Sequence, residues 1–545
     1  MKRRDFLKLG AQVGVAANVL PIMMGGFPVR ALGRSPLRSA LSTASSNNNI
    51  LVIIQLAGGN DGLNCVVPYT DTNYSTNRPT LGLSLTNDNL LVIPDHQSLA
   101  FHTNMQGFLD LYGTGNGTGK LAVLQNVGYP SPILSHFRGT DIWHTATDSD
   151  ISLSTGWVGR TLYELNPTYP PTTITAGSMP LAIQFGSSLY NMFLSQNGGM
   201  GIAINRVPTT ANSSTHSYDS ITTNNFTPDL ELEYVRVIQS ETEVYAQTMV
   251  NIASKTKNMV TYPANNPLAT QLAGVAQLIG SGFTTKIYLV TLGGFDTHSN
   301  ELTNQAKLLG QLADAMKAFQ DDLELLKVNG NPVADQVAIM TYSEFGRRPK
   351  ENGSGTDHGT AAPHFVVGTQ VIGGVRGHDP KLDPASLLSG SGNLTFDSLY
   401  DFRNVYATVL SEWLGISDQS IQNVLTASNG ITYSTNSTWT KLGLFKNQAG
   451  VSDSSEMTPG LDLMENYPNP VTTQTTIEYV LPEAMAVELG IFDMRGTEVA
   501  RIVDERQEMG IHQSFFKPGN LPAGSYIYRL TTPKGQLAKK MVVVK

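Results

Sequence analysis

"TKIYLVTL", residues 285–292, leads into "ELTNQAKLLGQLADAMKAFQDDLELLK" (301–327) and then into "DQVAIMTY" (335–342). The first and third are near-continuous apolar runs of strand length, the pattern of strands buried on both faces of a parallel sheet. The middle stretch places Leu302, Leu309, Leu312, Met316, Phe319, Leu323 and Leu326 at helical spacing, which predicts an amphipathic helix. Strand, helix, strand makes a right-handed crossover between parallel neighbours, so the fold class is α/β. "NILVIIQLA" (49–57) and "KLAVLQNV" (120–127) read as two further buried strands. The expectation is a mostly parallel central sheet with helices on both faces.

At 545 residues the chain exceeds what one core supports. "KNQAGVSDSSEMTPG" (446–460) has the Ser, Gly and Pro content of a linker, and so has the Ser/Asn stretch at 34–47. These place a large α/β domain at 48–445 and a small one at 461–545. In the small one, "TTIEYVL", "VELGIFD" and "GSYIYRL" alternate apolar and polar residues between turns such as "DMRG" and "KPGN", predicting a β-sandwich of six or seven strands. Residues 177–227, rich in Thr, Ser, Asn and Gly, read as an insertion of loops and hairpins. The net charge of −8 leaves no basic stripe, which excludes a nucleic-acid partner. A lone cysteine, Cys65, excludes a disulfide framework and a Cys-type zinc site. The apolar run at 11–27 is broken by Gly, Asn and Pro, so no transmembrane segment is expected in the mature chain.

In open parallel sheets, ligands bind beyond the carboxyl ends of the strands. Ionisable residues collect there. The first strand ends in "GGNDG", with Asp61, and the second leads to Ser135 and His136 at a predicted helix start. The third ends in "GGFDTHSNE", with Asp296 and His298, and the fourth in "SEFGRRP", with Glu344, Arg347 and Arg348. Next comes "GTDHGTAAPH" (355–364), a sparse loop carrying Asp357, His358 and His364. Each has a plainer reading: Asp61 as a turn residue, Asp296 as the cap of the long helix, Ser135 as an N-cap, and Glu344 paired with Arg347. Convergence of five loops on one rim favours a shared site. Asp61, Asp296, His298, Glu344, Asp357, His358 and His364 are then candidate ligands for one or two divalent ions (Zn, Mn, Ca or Mg). Arg347 and Arg348 would fork a phosphate or sulfate, and Ser135 with His136 would lie where a nucleophile is useful. The function expected is an exported metal-dependent hydrolase acting on an anionic ester or polysaccharide. The alternative is a non-catalytic surface or glycan-binding protein. No GxGxxG follows a strand and no Cys cluster exists, so a redox enzyme lacks support.

Three resemblances accompany these readings. "MKRRDFLKLG", with Arg3-Arg4, resembles a twin-arginine export signal over residues 1–33. "ENYPNP", "IFDMRGTEV", "LPAGSYIYRL" and "KKMVVVK" resemble the type A sorting domain of the type IX secretion system, which implies secretion machinery as a partner and release or attachment at the cell surface. "LAGGNDGLNCVVPY", "SHFRGTDIWHTA", "GGFDTHSNE" and "SEFGRRPKENGSGTDHG" are similar to DUF1501 proteins, related to sulfatases and the alkaline phosphatase superfamily. That likeness implies Asp61 and Glu344 on one metal, and Asp296, His298 and His358 on the other. The sequence departs from the superfamily in three ways: the spacing of Asp296 and His298 is short, Phe345 stands where a His is expected, and no sulfatase Cys-x-Pro-x-Arg is present.

Overall fold

A computed structural model describes residues 47–208, 244–425 and 439–446, apart from 116, 167–168, 170–177, 197 and 253–255. It also describes 461–544, apart from 464–465, 467–468, 482, 508–509 and 520, and two short strands at Ile22–Met24 and Phe27–Val29. The twin-arginine pair lies outside the described residues, as do nearly all of both expected linkers and residues 209–227 of the expected insertion. The chain divides into two compact units, Met1–Asn447 and Gln448–Lys545.

The central sheet of the first unit uses β1 (Ile50–Ala57), β2 (Leu121–Val127), β3 (Ala182–Phe185), β4 (Ile202–Ile204), β5 (Ile287–Gly293) and β6 (Val337–Tyr342). After β6 comes a hairpin of β7 (Arg347–Glu351) and β8 (Thr356–His358), then β9 (Ala362–Val367) and β10 (Gly374–Arg376). The eight-stranded order is β4-β3-β5-β1-β6-β9-β2-β10. All neighbours are parallel except β9, which runs against both β6 and β2. Parallel strands at the centre send their carboxyl ends to one edge, which gathers the loops that follow β1, β2, β5 and β6.

The alternation of side chains along each strand builds two cores from one apolar run. On β1, Ile50, Val52, Ile54 and Leu56 enter one cluster and Leu51 and Ile53 the other. β5 divides in the same way, with Tyr288, Val290 and Leu292 against Ile287 and Leu289. Helices α1 (Gln106–Tyr112), α4 (Pro267–Gly280) and α5 (Glu301–Leu325) cover the first face. Helices α2 (His136–Thr145), α3 (Trp157–Leu165), α6 (Phe402–Thr408) and α7 (Asp418–Leu425) cover the second. The result is a mixed, mostly parallel sheet between two helical layers.

The predicted helix is α5, with one difference at its start. Leu309, Leu312, Met316, Phe319 and Leu323 are fully buried, but Leu302 is 42% exposed, because the inward face at the start of the helix is formed by Glu301, Gln305 and Leu308. Asp296 does not cap it. The helix begins at Glu301 after Asn300, which adopts a left-handed conformation (φ 51°).

The second unit is all-β and antiparallel. One sheet orders β11 (Asp462–Leu463), β12 (Thr475–Leu481) and β15 (Gly510–Phe516). The other orders β14 (Glu498–Gln507), β13 (Met485–Asp493), β16 (Gly524–Thr532) and β17 (Gly535–Val543). Ile477 and Tyr479 from the first sheet and Leu489, Ile491 and Tyr528 from the second share one apolar cluster.

Two leucines of α5, one buried and one exposed, give a direct check. Leu312→Ala, at a fully buried site, should cost ~2–5 kcal/mol in chemical denaturation. Leu302→Ala should stay within ~0.5 kcal/mol of the parent.

Candidate metal centre

Two adjacent glycines let the rim close. Gly58 has φ +125°, and a Cβ there would lie 2.3 Å from the backbone nitrogen of Asp296. Gly59 has φ +81°, and a Cβ there would lie 2.4 Å from the Phe345 ring. Only residues without a side chain allow the loops after β1, β5 and β6 to touch.

Into that contact reaches Arg347, whose side chain is fully buried. Its Nε donates to Gly59 O (2.8 Å) and its Nη1 to Thr356 O (2.8 Å). Its Nη2 donates to Gly58 O (2.6 Å), Phe295 O (3.0 Å) and Asp296 Oδ1 (2.7 Å). The expectation that Arg347 forks a substrate anion is therefore corrected, since its donors already hold the loops together. Asp61 is corrected likewise. Arg78 Nη1 and Nη2 bind its two oxygens at 2.5 and 2.8 Å, with both side chains at 0% exposure. Arg78 also donates to the carbonyls of Arg348 and Pro349, so the pair ties the β1 loop to the β7–β8 hairpin. Burial opposes ionisation of Asp61, but the Arg78 charge and hydrogen bonds hold its carboxyl below the usual range.

Glu301 sits against this pair, and its Oε2 accepts from Thr356 Oγ1 at 2.6 Å. Burial, followed by the charge of Asp61, pushes its carboxyl from 4.5 up to about 9.

His136, Asp296 and His358 converge, each offering a ligand atom within 4.8 Å of the others. His136 Nε2 is 3.4 Å from Asp296 Oδ2, and His358 Nε2 is 3.3 Å from Asp296 Oδ1. Both rings are held from behind. His358 Nδ1 lies 3.0 Å from Leu134 O, a group that only accepts, so Nδ1 carries the proton. His136 Nδ1 lies 2.9 Å from Glu344 Oε1, which also accepts from Gly58 N at 2.9 Å. Glu344 thus stands behind the candidate ligand His136 and fixes its ring, the place a carboxylate takes behind a metal-bound histidine. Phe345, buried, packs its ring 5.0 Å from that of His136 and 4.4 Å from that of His358. Partial burial opposes ionisation of Asp296, but the hydrogen bond from Arg347 and the contact with His358 outweigh it and bring the carboxyl down to about 2.

His298 flanks this trio, with Nε2 at 3.1 Å from Asp296 Oδ1 and 3.0 Å from His358 Nε2. Asp357 is outermost: 54% exposed, its Oδ1 is 3.6 Å from His298 Nδ1. Ser135 is exposed and its side chain makes no capping bond to α2. No bond between the Arg348 guanidinium and the cluster occurs among the described residues; its Nε is buried without a partner. His364 is corrected: "GTAAPH" runs into "FVV" as strand β9, which turns this imidazole into the sheet. Its ring lies 5.0 Å from that of Trp143, and burial lowers its pKa to about 3, so it stays neutral.

The donor set fits a small divalent ion. Ligands ~2.0–2.1 Å from one tetrahedral centre lie roughly 3.3 Å apart, close to the 3.4 and 3.3 Å from the two rings to the two Asp296 oxygens, with one ligand atom from each of the three residues within 4.8 Å of the others. Two imidazole lone pairs facing one carboxylate repel unless a cation, proton or metal, lies between them.

Compared with known families, residues 207–420 match the one described as a protein of unknown function (DUF1501), and residues 465–544 match the secretion system C-terminal sorting domain. The first span includes Asp296, Glu344 and His358; His136 precedes it. The comparison with curated proteins gave no match. Among solved structures, the chain is similar to dimeric latent PorU from Porphyromonas gingivalis, at 23% identity over 19% of this chain and 10% of that one, with a TM-score of 0.14. It is also similar to PorZ of that organism, an essential bacterial surface component of the type-IX secretion system, at 18% identity over 19% and 14%, with a TM-score of 0.13. The chain spans a small fraction of either protein, and neither likeness bears on the site.

Glu301 gives the site a measurable signature. Between about 4.5 and about 9 the folded chain keeps a proton that the unfolded chain releases, so this group makes stability fall as pH rises. Glu301→Gln lacks that slope, and its unfolding free energy relative to the parent should climb steadily from pH 5 to 9. Asp61→Ala strands a buried Arg78 and should cost ~3–5 kcal/mol.

The chain thus carries a stretch that matches DUF1501, a family of unknown function, followed by one that matches a secretion system C-terminal sorting domain, which indicates type IX handling and delivery to the cell surface or outside.

Proposed function

We propose that the protein is an exported, metal-dependent hydrolase of phosphate or sulfate esters, acting at or outside the cell surface. The observation that carries this reading is the pairing of two imidazoles with a single carboxylate, each ring fixed from behind so that its Nε2 faces Asp296. A divalent ion held by His136, Asp296 and His358 would supply Lewis-acid polarisation of an ester oxygen and a water of lowered pKa. The chain's own groups do the rest. Arg347 keeps Asp296 anionic, Glu344 and Leu134 O fix which nitrogen of each ring is bare, and Phe345 closes one side of the rings. His298 flanks the trio at the exposed side. The ester class comes from the likeness of the rim motifs to the sulfatase and alkaline phosphatase superfamily. The twin-arginine motif agrees with export of a domain that folds, and takes up its ion, before it leaves the cytoplasm.

A second reading, a non-catalytic surface protein, is favoured by one observation. The burial of Arg347 withdraws the guanidinium best placed to neutralise an anionic ester, and the exposed rim offers Asp296 and Asp357 instead.

Calorimetric titration with Zn²⁺ should give one tight ion per chain, abolished in His136→Ala and His358→Ala. Glu344→Gln should weaken it by ~10–100-fold without changing the stoichiometry. Hydrolysis of p-nitrophenyl phosphate or sulfate should follow ion occupancy. Occupancy without turnover would favour the second reading, and no tight binding would overturn both the site and the hydrolase.

A further inference from the structure

We infer that Trp143 is a positioning residue for His136, acting through Glu344, so that α2 docks as a rigid arm on the residue that stands behind its own imidazole. The inference rests on the reading of His136 as a ligand and adds what sets the place of its ring.

His136, Gly139 and Trp143 stand at i, i+3 and i+7 of α2, the spacing of one helical face. All three meet the same residue. His136 Nδ1 lies 2.9 Å from Glu344 Oε1, and Trp143 Nε1 donates to Glu344 O at 3.1 Å. Between them Gly139 is buried, and a Cβ there would stand 3.2 Å from Glu344 O and 3.4 Å from Glu344 Cβ. The carboxylate and the carbonyl of one residue therefore hold the first and the last turn of the helix, and a glycine keeps the middle close.

The direction of the Trp143 N–H is set by the core. Its indole is buried, stacked on the Tyr342 ring (5.7 Å between centroids, 23° between planes) and packed 4.6 Å from the Phe402 ring. The carbonyl it binds belongs to a buried residue whose Oε1 also accepts from Gly58 N at 2.9 Å. Glu344 is thus held at its backbone by α2 and at its carboxylate by the β1 loop, and it presents Oε1 to His136 from a fixed place. A buried carbonyl that loses its donor is costly, so without the indole N–H the backbone of Glu344 shifts toward another partner and the carboxylate moves with it. Ring packing alone asks only for an aromatic side chain; the N–H aimed at Glu344 O is what ties the core to the cluster.

The test uses the full chain carrying isotope-labelled histidine, read by nitrogen NMR without an ion and by calorimetry with Zn²⁺. The His136 signal is assigned by its loss in His136→Ala. In the parent this ring should hold its proton on Nδ1, facing Glu344. Trp143→Phe keeps a ring and removes the N–H. It should turn the signal into a mixture of tautomers and weaken Zn²⁺ binding by roughly three- to tenfold at unchanged stoichiometry. In a Glu344→Gln background the same change should cost less than about twofold, since the two act along one path. Leu312→Ala, a destabilising change in the opposite core, should leave both readings at parent values. Where Trp143→Phe does not fold, Gly139→Ala, which crowds Glu344 and keeps the indole, decides in its place. A parent-like His136 signal in the deciding variant, or an equal change in Leu312→Ala, would overturn the inference even where Zn²⁺ binds. A changed signal in chains that bind no Zn²⁺ sustains the positioning role and removes the metal centre.

Discussion

The rim of this sheet is organised around one buried guanidinium. Arg347 donates to the loops after β1 and β5 and to β8, and only one of its acceptors, Asp296, is itself a candidate ligand. A fully buried cation is tolerated only where its donors are satisfied, so the loops that surround it are fixed by its planar fork. The glycines at 58 and 59 are the counterpart of that demand: their carbonyls must reach the guanidinium while Asp296 and Phe345 press on their α-carbons. Arg78 repeats the device one layer away with Asp61 and the carbonyls of the hairpin.

That scaffold explains the division of labour at the centre. Charge needed for cohesion is buried and paired, and charge available for chemistry is left at the surface. Asp296 belongs to both groups, with one oxygen bound to Arg347 and the carboxylate 48% exposed. Glu344 serves the scaffold at Gly58 and the cluster at His136 with the same oxygen. A carboxylate shared in this way transmits any change in the β1 loop to the orientation of an imidazole, which links the stability of the rim to the geometry of the site.

Much of the fold is legible in the sequence because the strongest signals are local. The apolar runs at 50–57 and 337–342 and the helical spacing from Leu309 to Leu323 are answered by strands buried on both faces and by a helix with its leucines inward. The start of α5 and strand β9 are less so, since Leu302 continues the period into a solvent-facing turn, and "APHFVV" opens with residues that read as loop. At the site, sequence order brings the right loops to one edge but cannot rank the polar residues on them. Asp61 and Asp296 follow strands in the same manner, yet a partner seventeen residues downstream, Arg78, takes both oxygens of one and leaves the other facing imidazoles. Nothing in "NRPT" distinguishes that arginine from a surface residue. The role of Leu134 is invisible for a further reason, since it acts through its carbonyl and any side chain would serve.

The spacing along the chain has a consequence for how the protein is made. Gly58 leaves the ribosome 289 residues ahead of the arginine that binds its carbonyl. Until Arg347 emerges, the β1 loop has only water to satisfy it, and its two glycines keep their full backbone freedom. Long-range closure of this kind is a slow and late step. Nascent intermediates would thus hold a half-assembled sheet, and the rim would take its final shape only after most of the first unit has been made.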